Sequence, residues 1–122
     1  MTGAPLVLVV EDQPQIARAV ARQLGSEFSV VLAKDAPSAI ALAQEREDIA
    51  AVVSDWALGD GGSGVDVLEW FRRTRPAVPR VLFSAHVPPD LGPQIVAGSV
   101  QRYVAKPPRP DELRDTLREL LS

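Results

Sequence analysis

The chain has 122 residues, with 13 Lys plus Arg against 16 Asp plus Glu, one His and no Cys. At 46% hydrophobic residues it can fill one small core, which leaves no room within these residues for a second module. A net charge of −3 argues against a basic nucleic-acid-binding face, and the lack of cysteine excludes disulfides, a thiolate nucleophile and a Cys-based zinc site.

Short β-rich runs alternate with longer helical patterns. Met1 to Pro5 carries no basic leader pattern and reads as a flexible end, and the first strand follows at Leu6–Val10. That strand is the longest apolar run and falls far short of the roughly 20 residues a membrane span needs. Ile16, Val20 and Leu24 then recur every four residues, which predicts a helix from about Pro14 to Leu24 with Gly25 as its C′ residue. A second strand at Ser29–Ala33 leads to Asp35 as N-cap of a helix reaching Gln44, with Pro37 in its first turn. A third strand spans Ala50–Ser54, and Ser63 with Asp66 gives an S-x-x-D start to a helix ending near Arg73.

The fourth strand is Arg80–Ser84. Between Pro88 and Gly98 five of eleven residues are Pro or Gly, so a fourth helix must be short or irregular, from about Pro93 to Ala97. The fifth strand is Arg102–Ala105, and after Pro110-Asp111 the stripe of Leu113, Leu117 and Leu120/Leu121 predicts a last helix. Several strands are apolar without alternation, as parallel strands covered on both faces should be. Five such β/α units predict a doubly wound α/β fold with a parallel sheet and helices on both faces.

In open α/β sheets, functional groups gather at the carboxyl edge of the strands. Here the first strand exits into Glu11-Asp12, the third into Asp55, the fourth ends in Ser84, and the fifth exits into Lys106-Pro107. Each has a plain structural reading when taken singly. Asp12 could cap a helix, Glu11 could be a solvated charge, Asp55 could make a turn, Ser84 could bond backbone, and Lys106 could lie on the surface. Together they place three carboxylates, a hydroxyl and an ammonium on one edge. Carboxylates that close repel one another unless a cation sits among them. An oxygen-only set of Glu11, Asp12 and Asp55 suits Mg²⁺, and Asp55 beside it could accept a phosphoryl group. Lys34 and Lys106 are the only lysines among eleven arginines, and only Lys106 gains a role from this reading.

Glu11-Asp12, Asp55, Ser84 and Lys106-Pro107, spaced 29 residues from Asp55 to Ser84 and 22 from Ser84 to Lys106, resemble the receiver domain of bacterial two-component response regulators. The resemblance runs from Leu6 to Leu121 and assigns residues 6–122 to a receiver domain after a flexible segment 1–5. It implies a flavodoxin-like strand order of 2-1-3-4-5. It further implies Asp55 as phosphoacceptor, with Mg²⁺ held by Asp12, by Glu11 through water, by Asp55 and by the backbone carbonyl of Ala57. Ser84 and Lys106 would contact the phosphoryl group, Tyr103 would be an aromatic switch coupled to Ser84, and the bond before Pro107 would be cis. The alternative for Tyr103 is an ordinary half-buried strand aromatic. Partners implied are a histidine kinase or histidine phosphotransfer protein as donor and a downstream protein or fused output domain. The setting would be cytoplasmic, with no direct nucleic-acid or membrane contact.

The stretch Trp56–Gly64 departs from the family pattern: it lacks the usual Pro, is one residue longer and should be more mobile. Ala57 and His86, two residues beyond Asp55 and Ser84, flank the path by which water would reach an acyl phosphate. Pro108 and Pro110 stiffen the entry to the last helix. Two other functions are compatible with such a sheet. One is a pseudo-receiver acting as an adaptor without phosphorylation. The other is a small hydrolase working through an aspartyl phosphate, which is disfavoured because Ala57 stands where a second acid is needed and no cap domain is present. A phosphoacceptor that is not a turnover enzyme is the expectation.

Overall fold

A computed structural model describes residues 3–59, 62–85, 91–109 and 111–122 of the chain. Among the described residues, β1 (Leu6–Val10), β2 (Ser29–Ala33), β3 (Ile49–Ser54), β4 (Arg80–Ser84) and β5 (Arg102–Ala105) form one parallel sheet in the order β2-β1-β3-β4-β5. The helices between and after them are α1 (Pro14–Leu24), α2 (Ala36–Glu45), α3 (Gly64–Thr74), α4 (Leu91–Ala97) and α5 (Glu112–Leu121). This is the doubly wound architecture and the strand order expected. No helix among the described residues is long and apolar enough to cross a membrane.

Alternation along β1 divides the core. Leu6, Leu8 and Val10 face one side with Val52 of β3 and Leu82 of β4, packing on Ala36, Ala39 and Ala43 of α2 and Val67, Leu68 and Phe71 of α3. Val7 and Val9 face the other side with Val53, Val81 and Phe83, against Val20 and Leu24 of α1 and Leu113 and Leu117 of α5. All five residues of β1 and of β4 are therefore buried, whereas the edge strands β2 and β5 are partly exposed. That difference explains why the central strands read as unbroken apolar runs.

Some local expectations are corrected. Gly25 closes α1 in a right-handed conformation, φ −64° and ψ −14°, donating its N–H to Ala21 O, so no left-handed C′ residue is used. Gln13, not Asp12, takes the N-cap position of α1, and its side chain makes no capping bond. Asp35 caps α2 by accepting from Ser38 N at 2.8 Å, as expected. Ser63 caps α3 by accepting from Val65 N at 3.1 Å. α4 starts at Leu91, two residues before the expected Pro93; a proline there lies in the first turn, where its missing N–H has no helical partner to lose. Expectations placed on Met1, Thr2, Asp60, Gly61, His86, Pro88, Pro89 and Pro110 lie outside the described residues.

The sheet edge opposite the strand exits is held by a buried arginine. Arg80, only 4% exposed, donates to the carbonyls of Gly98, Pro76 and Val78 at 2.8–3.0 Å, and its backbone N–H donates to the Gln101 side chain at 2.8 Å. Beside it the buried Ser99 hydroxyl donates to Glu69 of α3. Hydrogen bonds from Arg72 and Ser99 hold the Glu69 carboxyl down at about 2. These contacts tie the turn between α4 and β5 to α3 and β4. Arg80→Ala strips three carbonyls of their donor, and we expect a loss of about 2–4 kcal/mol in urea unfolding, with Ser99→Ala costing less.

Candidate functional site

Parallel register places the expected residues at one edge. The backbone N–H of Glu11 donates to Ala33 O at 2.9 Å, that of Asp55 to Val10 O at 3.0 Å, and that of Lys106 to Ser84 O at 3.0 Å. Each residue is thus the first beyond its strand yet still bonded to the adjacent one, and their side chains start from fixed backbone positions. The structure brings Asp12, Asp55, Ala57, Ser84 and Lys106 around one open cleft of about 310 Å³, also lined by Gln13, and Glu11 joins the same cluster from behind.

Lys106 is the centre of the charge arrangement. Its Nζ donates to Asp55 Oδ2 at 2.8 Å and to Glu11 Oε1, and lies 5.2 Å from the centre of the Phe83 ring. The side chains of Lys106, Asp55 and Glu11 are 12%, 11% and 2% exposed, so these ion pairs are largely shielded from water. Burial pushes the Glu11 carboxyl above its ordinary value, outweighing the opposing pull of Lys106 and of a 3.2 Å hydrogen bond from Gln13 N. Burial would also strip Lys106 of its proton, but the hydrogen bonds to Asp55 and Glu11 outweigh it and hold the ammonium above its ordinary value.

One carboxylate oxygen from each of Glu11, Asp12 and Asp55 lies within 4.8 Å of the others. A three-carboxylate set, two of them buried, with neither His nor Cys fits a hard divalent cation such as Mg²⁺. Asp12 is exposed, which leaves its side open to water.

The other expected residues sit close by. Ser84 is 6% exposed and lines the cleft. Tyr103 is half-buried, and its hydroxyl donates to the Ser84 carbonyl at 3.1 Å, so the two are physically linked. The Lys106–Pro107 peptide is cis. Trp56 is half-buried against the core on the α2 and α3 side.

One residue of the site was not singled out from sequence. Gly64 opens α3 with its N–H donated to Trp56 O at 2.9 Å, and a Cβ there would fall 1.6 Å from the Asp55 carbonyl oxygen and 2.5 Å from Ser54 Oγ. Backbone therefore packs directly on the backbone of Asp55, and only glycine permits it. The buried Ser54 hydroxyl donates to the same Asp55 carbonyl at 3.1 Å. An isolated bridge between Ala57 and Ser63 closes the base of the loop, and Gly59 adopts φ +59° beside Asp12.

Comparison with known proteins gives a consistent result. A family model described as the response regulator receiver domain matches residues 7–118. The probable transcriptional regulatory protein TcrX of Mycobacterium tuberculosis is 39% identical over 125 residues, covering 98% of this chain and 51% of that protein. The hydrogenase transcriptional regulatory protein HoxA of Cupriavidus necator is 32% identical, covering 93% of this chain and 23% of that protein. The chain thus spans about half or less of the length of these curated relatives. Among solved structures, the signal receiver domain of an HD domain-containing protein from Pseudomonas fluorescens Pf-5 superposes with a TM-score of 0.88 at 26% identity, covering 98% of this chain and 95% of that one.

Two outcomes follow from this geometry. Gly64→Ala must displace backbone at Asp55, and we expect a loss of about 3 kcal/mol by chemical denaturation, against a near-neutral change for Gly3→Ala, whose added Cβ meets nothing within 4 Å. Because the folded Glu11 titrates above its usual 4.5, its contribution to stability is full below 4.5 and is lost as pH rises through the raised value. Without divalent cations, Glu11→Gln is therefore expected to melt above the parent at pH 7.5, with the gap closing at pH 4, as read by calorimetry.

Proposed function

The chain belongs to the response regulator receiver domain family, and on that premise we propose that residues 6–122 are a phosphoacceptor module with Asp55 as the acceptor. The observation that carries this reading is the Asp55 carboxylate itself, paired with Lys106 at 2.8 Å, clustered with Glu11 and Asp12, and lining an open cleft. The donor would be a phosphohistidine of a histidine kinase or phosphotransfer protein. A carboxylate oxygen of Asp55 forms a bond to phosphorus as the phosphorus–nitrogen bond breaks, the nitrogen leaving with the bonding pair. Lys106 stays in place to pair with the phosphoryl oxygens, and the Ser84 hydroxyl at the cleft wall donates a hydrogen bond to one of them.

Glu11, Asp12, Asp55 and the Ala57 carbonyl would hold Mg²⁺, which when bound supplies positive charge opposite the phosphoryl oxygens. Because the Tyr103 hydroxyl is bonded to the Ser84 carbonyl, drawing Ser84 toward a phosphoryl group changes the setting of Tyr103 on β5. That coupling would turn a charge added at Asp55 into a changed surface for a downstream protein or fused output domain. The module is read as a stoichiometric acceptor working in the cytoplasm, not as a turnover enzyme.

Acetyl phosphate with Mg²⁺ is expected to add one phosphoryl group to the parent chain by mass and none to Asp55→Asn, and Lys106→Met should slow labelling at least tenfold. Label retained at full level in Asp55→Asn would overturn the assignment. Mg²⁺ alone should quench the fluorescence of Trp56, next to Asp55.

A further inference from the structure

Beside the acidic cleft lies a second one, of about 330 Å³, between the start of α1 and the end of β2. Its lining brings Arg18 of α1 and Leu32 and Lys34 from the end of β2 together with Glu11 and Asp12. Asp12 lines both clefts, so the two are adjacent. Leu32 is 44% exposed, unusual for a large apolar residue in this chain.

Both cations are exposed, and among the described residues neither has a carboxylate oxygen within 4.0 Å. Ion pairing is otherwise the rule here, because seven of the eleven arginines do have such a partner. The carboxylate next in sequence to Lys34, Asp35, is already engaged in capping α2. Arg18 and Lys34 thus direct unspent positive charge at the flank of the acidic site.

That charge meets a difficulty inherent in the reaction. Three carboxylates against the single ammonium of Lys106 leave two net negative charges around Asp55. A divalent cation would cancel that charge and serve the phosphoryl oxygens once they arrive, but leaves no surplus positive charge to draw an anion from a distance. A phosphoryl donor arrives carrying its own negative charge and needs positive potential along its path.

We propose that Arg18 and Lys34 are specificity residues for the phosphoryl donor, forming a cationic wall that draws a dianionic phosphoryl group to the acidic edge. This inference rests on the phosphoacceptor reading of Asp55. For scale, two positive charges placed one Debye length from a dianion, about 10 Å at 0.1 M salt, raise its encounter rate by about threefold, and by more at lower ionic strength. The same charges weaken cation binding at Glu11, Asp12 and Asp55.

The test compares the parent with Arg18→Gln/Lys34→Gln, and with Arg46→Gln/Arg73→Gln, which removes the same charge at the opposite edge of the sheet. Labelling rates are measured with acetyl phosphate, a dianion at neutral pH, and with phosphoramidate, a monoanion, at 20 and 200 mM salt, and Mg²⁺ affinity is read from Trp56 fluorescence. The expected result has three parts. Arg18→Gln/Lys34→Gln loses about threefold or more with acetyl phosphate and less with phosphoramidate, its deficit shrinks at high salt, and it binds Mg²⁺ more tightly. Equal rates in parent and variant, an equal loss with both donors, or the same loss in the distal variant would overturn the proposal. A parent that takes no label from either donor would instead overturn the phosphoacceptor reading.

Discussion

The Lys106 ammonium between Glu11 and Asp55 is the interaction on which the carboxyl edge depends. Three acids stand within 4.8 Å of one another at the ends of β1 and β3, two of them nearly closed to water. Without a cation beside them these carboxylates would only repel one another. Lys106 supplies part of the compensation from the end of β5, on the far side of β4. Strand order therefore matters chemically: the ammonium reaches over the end of β4, past Phe83, to meet acids presented by β1 and β3. One ammonium leaves the balance incomplete, which is the reason for a divalent cation in this reading.

The backbone that holds these charges is as constrained as the charges. Ladder bonds run from the N–H groups of Glu11, Asp55 and Lys106 to the last carbonyls of neighbouring strands. The first residue of α3 lies against the Asp55 carbonyl so closely that position 64 has no room for a side chain. At the opposite edge, Arg80, Ser99 and Glu69 tie the entrance of β5 to α3 and β4, so the strand carrying both Tyr103 and Lys106 is anchored where it begins. The Tyr103 hydroxyl bonds the Ser84 carbonyl, so the ends of β4 and β5 are joined by a side chain as well as by the ladder.

Much of this was legible in the amino-acid sequence because parallel strands all end at the same edge. Once Leu6–Val10, Ala50–Ser54 and Arg102–Ala105 read as strands, Asp12, Asp55 and Lys106 had to converge, and the structure brings them together. What stayed hidden depends on close approach in space. Positions 59, 61, 62 and 64 are all glycine, and nothing in their order distinguishes the one that backs onto Asp55. Arg80 reads as a polar residue at the start of a strand; its burial follows from where β4 lies in the sheet, and its partners are carbonyls with no signature in side-chain chemistry. The span of α1, Pro14–Leu24, is as expected, and only its caps differ from the plain reading. Gly25 permits a left-handed cap without requiring one, and Asp12, a residue suited to capping, stands in the acidic cluster instead.

The most direct test of this charge balance is thermal unfolding of the parent and of Asp12→Asn with and without Mg²⁺ at pH 7.5. Binding to the folded chain alone must stabilise it in proportion to the logarithm of cation concentration. The account predicts that millimolar Mg²⁺ raises the melting temperature of the parent and does so much less for Asp12→Asn. A parent melting temperature that Mg²⁺ leaves unchanged would contradict it.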